Sequence, residues 1–268
     1  MQLPIYYIDA FTSEQFKGNP AAVVPLDEWL PETTMQAIAT ENNLSETAFF
    51  VPRGDGSYHI RWFSPKKEIA FCGHATLATA HIMFEGTAQD SSITFWADAV
   101  GELTVKSVED DAVGNRAIEM SFPNREPEPV PVIPLSIITG LSIEPTEVLR
   151  NPQAYIVVYE NELQVREVIP NLVKLRELGP LDVAVTAPGE NHDFVSRYFW
   201  PANGGDEDPV TGSIHAGLAP YWAKRLKKTE LIALQASRRS GLLKCRVEGS
   251  RVHVAGTCVK YLQGTIEV

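Results

Sequence analysis

Residues 71–81 read FCGHATLATAH. A cysteine, a glycine and a histidine precede an apolar, alanine-rich run that ends on a second histidine, His81. The run predicts a helix from about Gly73 to Phe84, apolar over most of its circumference. A helix of that kind is enclosed on all sides. A second stretch, TGSIHAGLA at 211–219, repeats the theme. It predicts a helix over Ile214–Arg225, with Pro220 as a possible kink point.

Around these two helices the pattern is of strands. In the first half strands are expected at Leu3–Ala10, Ala21–Pro25, Thr47–Pro52, Tyr58–Phe63, Ser92–Trp96, Gly101–Val108 and Ala117–Phe122. One amphipathic helix is expected at Glu32–Thr40, where Met35, Ile38 and Ala39 share a face. In the second half strands are expected at Ala154–Tyr159, Asp182–Thr186, Phe194–Trp200, Leu231–Gln235, Leu242–Val247, Arg251–Ala255 and Val259–Val268. Each half thus runs through strands, a strand ending on an aromatic residue, a loop, and one alanine-rich helix. Between the halves, PNREPEPVPVIP at 123–134 holds five prolines in twelve residues and reads as an extended linker. The expected organisation is α+β: a first domain over 1–122, which the last strand of the chain could complete, the linker at 123–134, and a second domain over 135–268.

The formal net charge of -11 and a sequence pI near 5.1 disfavour binding to phosphate backbones, so no nucleic-acid partner is expected. No run approaches the length of a membrane span, and the N-terminus reads as a strand rather than a signal peptide. The three cysteines, Cys72, Cys245 and Cys258, are odd in number and widely spaced, which suits a reducing cytoplasm.

Three chemical readings compete at the opening stretch. His74 and His81 lie two helical turns apart, too far to share one metal ion, so no metal site is expected there. Cys72 is open to two readings: a thiol activated at a helix N-terminus, or a small buried apolar residue. Third, the backbone N–H groups of Gly73, His74 and Ala75, and of Gly212 and Ser213 at the second helix, are open to two readings: openings that attract anions, or ordinary helix starts with Gly and Ser chosen for capping. Ahead of the second opening, Asp206, Glu207 and Asp208 make an acidic loop; calcium is conceivable there, but the spacing does not fit an EF-hand. In NNLSETAFF at 42–50, Glu46 stands between a polar turn and an aromatic pair. It is either a solvent-facing strand-edge residue or a desolvated carboxyl able to exchange protons near neutral pH.

At these residues the chain resembles the PhzF-like family, named for an isomerase of phenazine biosynthesis and related in fold to diaminopimelate epimerase. The matching motifs are IDAFTSEQFKGNPAAVV at 8–24, NNLSETAFF, IRWFSPKKEIAFCGHATLATAH at 60–81, SRYFWPANGGDEDPVTGSIHAGL at 196–218 and QASRRSGLLKCRVEGSRVHVAG at 235–256. The resemblance implies two pseudo-symmetric domains, each a strand barrel around a central helix, with the active site in the cleft between them. It places the catalytic glutamate on Glu46, the helix opening on Gly73 and His74, and the DPVTGS motif on Asp208 to Ser213. It implies no metal, no organic cofactor, and a homodimer.

The implied chemistry is isomerisation of a small anionic carboxylate by proton transfer between carbons. Glu46 would carry the proton. His74 and Asp208 would hydrogen-bond the substrate, and Gly73, His74, Gly212 and Ser213 would hold its carboxylate. Asp208 would have to be hydrogen-bonded or protonated to lie beside an anion. Two-cysteine epimerases and racemases share the fold, and Cys72 stands where their first cysteine would. The second opening has no cysteine, which argues against that mechanism. A non-catalytic binder of a small acid or a protein is the alternative class.

Overall fold

Two series of strands, each carrying one enclosed helix, account for the fold. The computed structural model describes residues 1–85, 91–110 and 115–268. In chain order the elements begin β1 (Gln2–Ala10), β2 (Asn19–Pro25), α1 (Glu32–Asn42), β3 (Glu46–Pro52), β4 (Tyr58–Phe63), β5 (Glu68–Ile69), α2 (Gly73–Phe84), β6 (Ser92–Ala97), β7 (Gly101–Asp110) and β8 (Asn115–Pro123). They continue β9 (Glu128–Pro129), α3 (Leu135–Ile138), β10 (Glu147–Arg150), β11 (Ala154–Val158), α4 (Glu162–Glu167), α5 (Leu172–Leu175), β12 (Asp182–Pro188) and β13 (Phe194–Phe199). The last are β14 (Glu207–Asp208), α6 (His215–Leu226), β15 (Glu230–Gln235), β16 (Gly241–Glu248), β17 (Arg251–Gly256) and β18 (Cys258–Glu267). The architecture is mixed α+β, and among the described residues no helix is long and apolar enough to cross a membrane.

The chain divides into one unit of Met1–Ser121 with Ala255–Val268, and a second of Phe122–Val254. In the first, β1 pairs antiparallel with β18 and with β2. Strand β2 runs parallel to β3, β3 antiparallel to β4, β4 antiparallel to β5 and parallel to β6, and β6, β7 and β8 form an antiparallel series. In the second, β10 pairs antiparallel with β11, β11 parallel with β12, β12 antiparallel with β13, β13 antiparallel with β14 and parallel with β15, and β15 antiparallel with β16. Strands β1–β7 and β10–β16 therefore follow one connection pattern. Each parallel step is bridged by helix, α1 and α2 in the first unit, α4 with α5 and then α6 in the second.

The registers align residue for residue. Ala21 faces Glu46, Ala48 faces Trp62, and Trp62 faces Ile69 in the first unit. Ala154 faces Asp182, Ala184 faces Tyr198, and Tyr198 faces Asp208 in the second. Glu46 thus corresponds to Asp182, Trp62 to Tyr198 and Ile69 to Asp208. Continuing in step, Cys72, Gly73 and His74 correspond to Thr211, Gly212 and Ser213. The repeat read from the sequence is present at the level of hydrogen-bond register.

Burial follows from composition. Helix α2 packs against β1, β2, β3, β7 and β18, and all of its residues from Gly73 to Ala80 are buried. Its two buried threonines spend their hydroxyls on their own helix, Thr76 on the Cys72 carbonyl at 2.6 Å and Thr79 on that of Ala75 at 2.8 Å. Beneath α1, Met35 and Ile38 join Ala22, Val24, Phe49 and Phe63 in a second apolar layer. Strands covered on both faces explain why β2 and β3 read as continuous apolar runs.

Residues 123–134, expected as an extended linker, run within the second unit. Glu128 and Pro129 pair with β10, and the N–H groups of Asn124 and Arg125 donate to the carbonyls of Ser250 and Ala216. The Arg125 bond has a reason in α6. Pro220 has no N–H to give the Ala216 carbonyl, and the incoming segment supplies one at 2.9 Å. Gly217 permits that approach: a Cβ there would lie 3.0 Å from the Arg125 carbonyl oxygen and 2.4 Å from the Asn151 amide nitrogen.

Helix α6 begins at His215, one residue later than expected, because residues 212–214 form a tighter turn in which the Gly212 and Ser213 carbonyls accept from His215 and Ala216. His215 is fully buried, against the Phe194 ring, and its Nδ1 donates to the Thr211 carbonyl at 2.9 Å. Burial pushes its pKa from 6.5 down to about 4, against the opposing pull of that hydrogen bond. Between these values the unfolded chain takes up a proton that the fold refuses, so stability rises with pH through this window and falls as the pH is lowered. Lowering the pH from about 7 to about 5 should cost the native chain about 2 kcal/mol more than it costs a His215→Asn variant, read from urea midpoints. Identical pH dependence in the two proteins would contradict a buried neutral imidazole.

Candidate active site

In the first unit the chain brings Asn19, Glu46, Cys72 and His74 to one point. Gly18 makes the entry to β2 possible. Its φ is 64°, and a Cβ there would fall 2.2 Å from the Ala10 carbonyl oxygen, so only glycine allows the turn that delivers Asn19. Asn43, left-handed at φ 48°, ends α1 and turns the chain into β3, whose first residue is Glu46. Cys72 is the extended residue before α2; its carbonyl accepts the Thr76 N–H, and its thiol makes no capping bond.

The geometry is tight. His74 Nε2 lies 3.0 Å from Glu46 Oε2, and the Cys72 thiol donates to the same oxygen at 3.6 Å. The Asn19 amide nitrogen lies 3.1 Å from His74 Nδ1. Cys72 Sγ lies 3.4 Å from Nδ1 and 3.8 Å from Nε2. Glu46 and His74 are each 5 % exposed and Cys72 6 %, so the polar cluster is held out of bulk water. Glu46 is therefore not a solvent-facing strand-edge residue. An Asn19 N–H donated to Nδ1 fixes the ring proton on Nε2, aimed at Glu46. Both donors then terminate on Oε2, leaving Oε1 for other work.

Gly73 is not required by packing, since a Cβ there would find nothing nearer than 3.8 Å. Cys72 satisfies neither simple reading from the sequence: it is buried, yet within reach of two titratable partners. Cys245 is buried too, but burial pushes its thiol well up, and the same holds for Cys258. His81, in the last turn of α2, is no part of the cluster; burial pushes its imidazole pKa down.

In the second unit, Asp208, Gly212 and Ser213 sit on a loop clamped from behind. The Thr211 hydroxyl donates to Asp208 Oδ2. Gln235, fully buried, accepts the Thr211 N–H at 2.8 Å and donates to the Asp208 carbonyl at 2.9 Å. Ser213 Oγ accepts from Gln153 at 2.9 Å; Gln153 also donates to the Tyr198 hydroxyl at 3.1 Å, which donates to Asp182 at 2.6 Å. Having accepted from Gln153, the Ser213 hydroxyl keeps its own proton to donate elsewhere. Burial raises the Asp182 carboxyl pKa, with the Tyr198 and Asn203 hydrogen bonds opposing.

The acidic loop does not form a calcium site among the described residues. Glu207 is taken by a two-pronged ion pair with Arg197 at 2.8 and 3.0 Å, Asp208 by Thr211, and Asp206 offers its backbone carbonyl to the Trp200 N–H. The Arg197–Glu207 pair has a counterpart in Arg61–Glu68, at 2.7 and 2.6 Å. Each pins the two-residue strand that leads into a helix opening. Sequence reasoning missed both pairs, along with Asn19, Gln153 and Gln235. The signal for the pairs was present: RWF at 61–63 and RYF at 197–199, each followed by an acid.

The sequence profile of the phenazine biosynthesis-like family matches residues 8–264. A Pseudomonas aeruginosa protein named as an uncharacterized isomerase is 46 % identical over 268 residues, covering all of both chains. A crystal structure of a PhzF-family phenazine biosynthesis protein from Enterococcus faecalis superposes with a TM-score of 0.92 at 42 % identity, again over the whole of both chains. A probable proline racemase from Agrobacterium radiobacter, at 9 % identity and a TM-score of 0.62 over 99 % of this chain and 92 % of its own, shares the fold. With the profile spanning nearly its whole length, the chain belongs to the phenazine biosynthesis-like, or PhzF-like, family.

Proposed function

We propose that the protein is an isomerase that moves a proton between carbons of a small carboxylate-bearing substrate, with Glu46 as the carrier and no metal or organic cofactor. The observation that carries this reading is the convergence of two donors on Glu46 Oε2 in a buried pocket of side chains. A carboxylate held through one oxygen keeps its orientation while the other oxygen takes and returns a proton. Exclusion of water keeps that proton from being lost to solvent between the two steps.

In the proposed cycle, Glu46 Oε1 removes a proton from a carbon acidified by a neighbouring carbonyl, alkene or carboxylate. Electron density shifts along the substrate, and the same carboxyl returns the proton to a second carbon. His74 Nε2–H, fixed by Asn19, restrains the carboxylate in both states. The proposal assigns Asp208 and the N–H groups of Gly73, His74, Gly212 and Ser213 to the substrate's carboxylate and to the charge that develops on it. The Thr211 hydroxyl on Asp208 reduces the repulsion that a bare carboxylate would exert on an anion. As in the family it resembles, the proposal has the chain work as a cytoplasmic homodimer. The relatives' naming as isomerases supports the reaction class.

The test is a screen of small carboxylic acids in deuterated water, following both isotope incorporation and product. Glu46→Gln should lose on the order of 10²–10⁴ in turnover while folding normally. Turnover by Glu46→Gln equal to the native rate would overturn the reading, and so would tight binding of an acid with neither turnover nor exchange. On the second unit, Ser213→Ala removes a donor to an anion. KM should rise by roughly tenfold or more with kcat little changed, as expected for a hydrogen bond to a charged group. An unchanged KM would take Ser213 out of substrate binding.

A further inference from the structure

The second unit turns outward a set of aliphatic side chains that its own core does not use. Val132, Leu135, Ile138, Ile169 and Val173 are 54–80 % exposed, and Ile133 beside them is exposed too. They come from two stretches laced together. Helix α3 packs against α5, and the Asn171 N–H donates to the Gly140 carbonyl at 2.8 Å. The Ser142 N–H donates to the Ile169 carbonyl at 3.2 Å, and the Ile169 N–H to Ser142 Oγ at 2.8 Å. The Ser136 hydroxyl donates to Glu177 at 2.7 Å. From the same stretches Ile137, Leu141, Val168 and Leu175 point inward and join the core of the unit. That core is filled without the exposed set.

Helix α1 is the internal comparison. It bridges the parallel step from β2 to β3, as α4 and α5 bridge that from β11 to β12. Helix α1 buries Met35, Ile38 and Ala39 and leaves Glu32, Thr33, Thr40 and Glu41 outward. A polar outer face serves the same topological position, so the fold does not require the apolar one. The six side chains leave on the order of 600 Å² open to water, at the upper end of the roughly 300–600 Å² that a monomer's largest apolar patch covers. Two such patches face to face would bury about 1,200 Å², above the roughly 1,000 Å² of a specific interface.

We infer that this face, built from residues 132–138 and 169–173, joins two copies of the chain across a two-fold axis. A two-fold sets each patch against itself, and a wholly aliphatic patch needs no complementary donor or charge to meet it. Such a surface has the character of a lasting homodimer contact, which is more apolar than a transient one. The net charge of -11 opposes the alternative of an anionic bilayer. The inference gives the homodimer of the proposed function a face, but it rests on the exposed side chains and not on the isomerase reading.

The test is sedimentation equilibrium on the untagged full chain across a micromolar concentration series. The native chain should be a dimer, and added salt should not loosen it, since no charge pair holds the contact. Leu135→Glu combined with Val173→Glu sets charges on the face of both copies. It should raise the dimer Kd by roughly thirtyfold or more, with the native circular dichroism kept. Ile169→Thr with Val173→Thr adds no charge, repeats the test on a gentler variant, and should shift Kd in the same direction. Tyr261→Glu, at an exposed aromatic residue of β18 in the first unit, should leave the dimer intact. A native chain that stays monomeric throughout the series, or a dimer as tight as native in the folded variants, would overturn the face. So would a dimer that Tyr261→Glu dissociates, or a native monomer that sediments with anionic phospholipid vesicles. Glu46→Gln should remain a dimer, so its turnover bears on the isomerase reading alone.

Discussion

The fold depends on enclosing a helix that has no polar face. Helix α2 offers water almost nothing, so strands must cover it along its length, and β1, β2, β3, β7 and β18 do so. Such a helix can be polar only at its end. The first turn, whose N–H groups have no partner within the helix, therefore becomes the place where polar side chains gather. Glu46 and Asn19 reach it because β2 and β3, the parallel pair beside the helix, both begin near that end. One constraint thus sets both the packing and the position of the candidate chemistry.

The two units answer this constraint with the same topology and different side chains. Where the first unit has Glu46, the second has the shorter Asp182; where the first has His74 and Cys72, the second has Ser213 and Thr211. Glu46 contacts His74 directly. Asp182 reaches Ser213 only through Tyr198 and Gln153. The first arrangement holds a carboxylate by one oxygen and suits proton transfer. The second fixes a hydroxyl as a donor and suits anion binding. The Arg61–Glu68 and Arg197–Glu207 pairs are kept in both, because both units must deliver a short strand into a helix opening.

Long elements were legible and short ones were not. Helix α2 was read with its observed bounds because an uninterrupted apolar run follows a glycine. The long strands were placed to within a few residues. Strands β5, β9, β10 and β14 and helices α3, α4 and α5 escaped, since two to six residues carry no period to read. The prolines of 123–134 correctly excluded a helix there, but not the pairing with β10 or the bond to α6, which depend on residues distant in sequence. Within the site, Glu46 and His74 were named through the family resemblance. Composition alone left Glu46 open, and nothing in the chain announces that Asn19, fifty-five residues before His74, holds its ring. Cys72 shows the same limit. The sequence leaves burial and activation as alternatives for this thiol, and the structure places it buried yet within reach of Glu46 and His74.

The central claim is that Glu46 and His74 act as one unit in proton transfer. A double-mutant cycle on exchange turnover, using Glu46→Gln, His74→Asn and the pair together, tests it most directly. The account predicts strong non-additivity: each single change is costly, and the double variant is about as slow as the slower single one. Losses that multiply, with a coupling below about 0.5 kcal/mol, or a His74→Asn variant with native turnover, would contradict it.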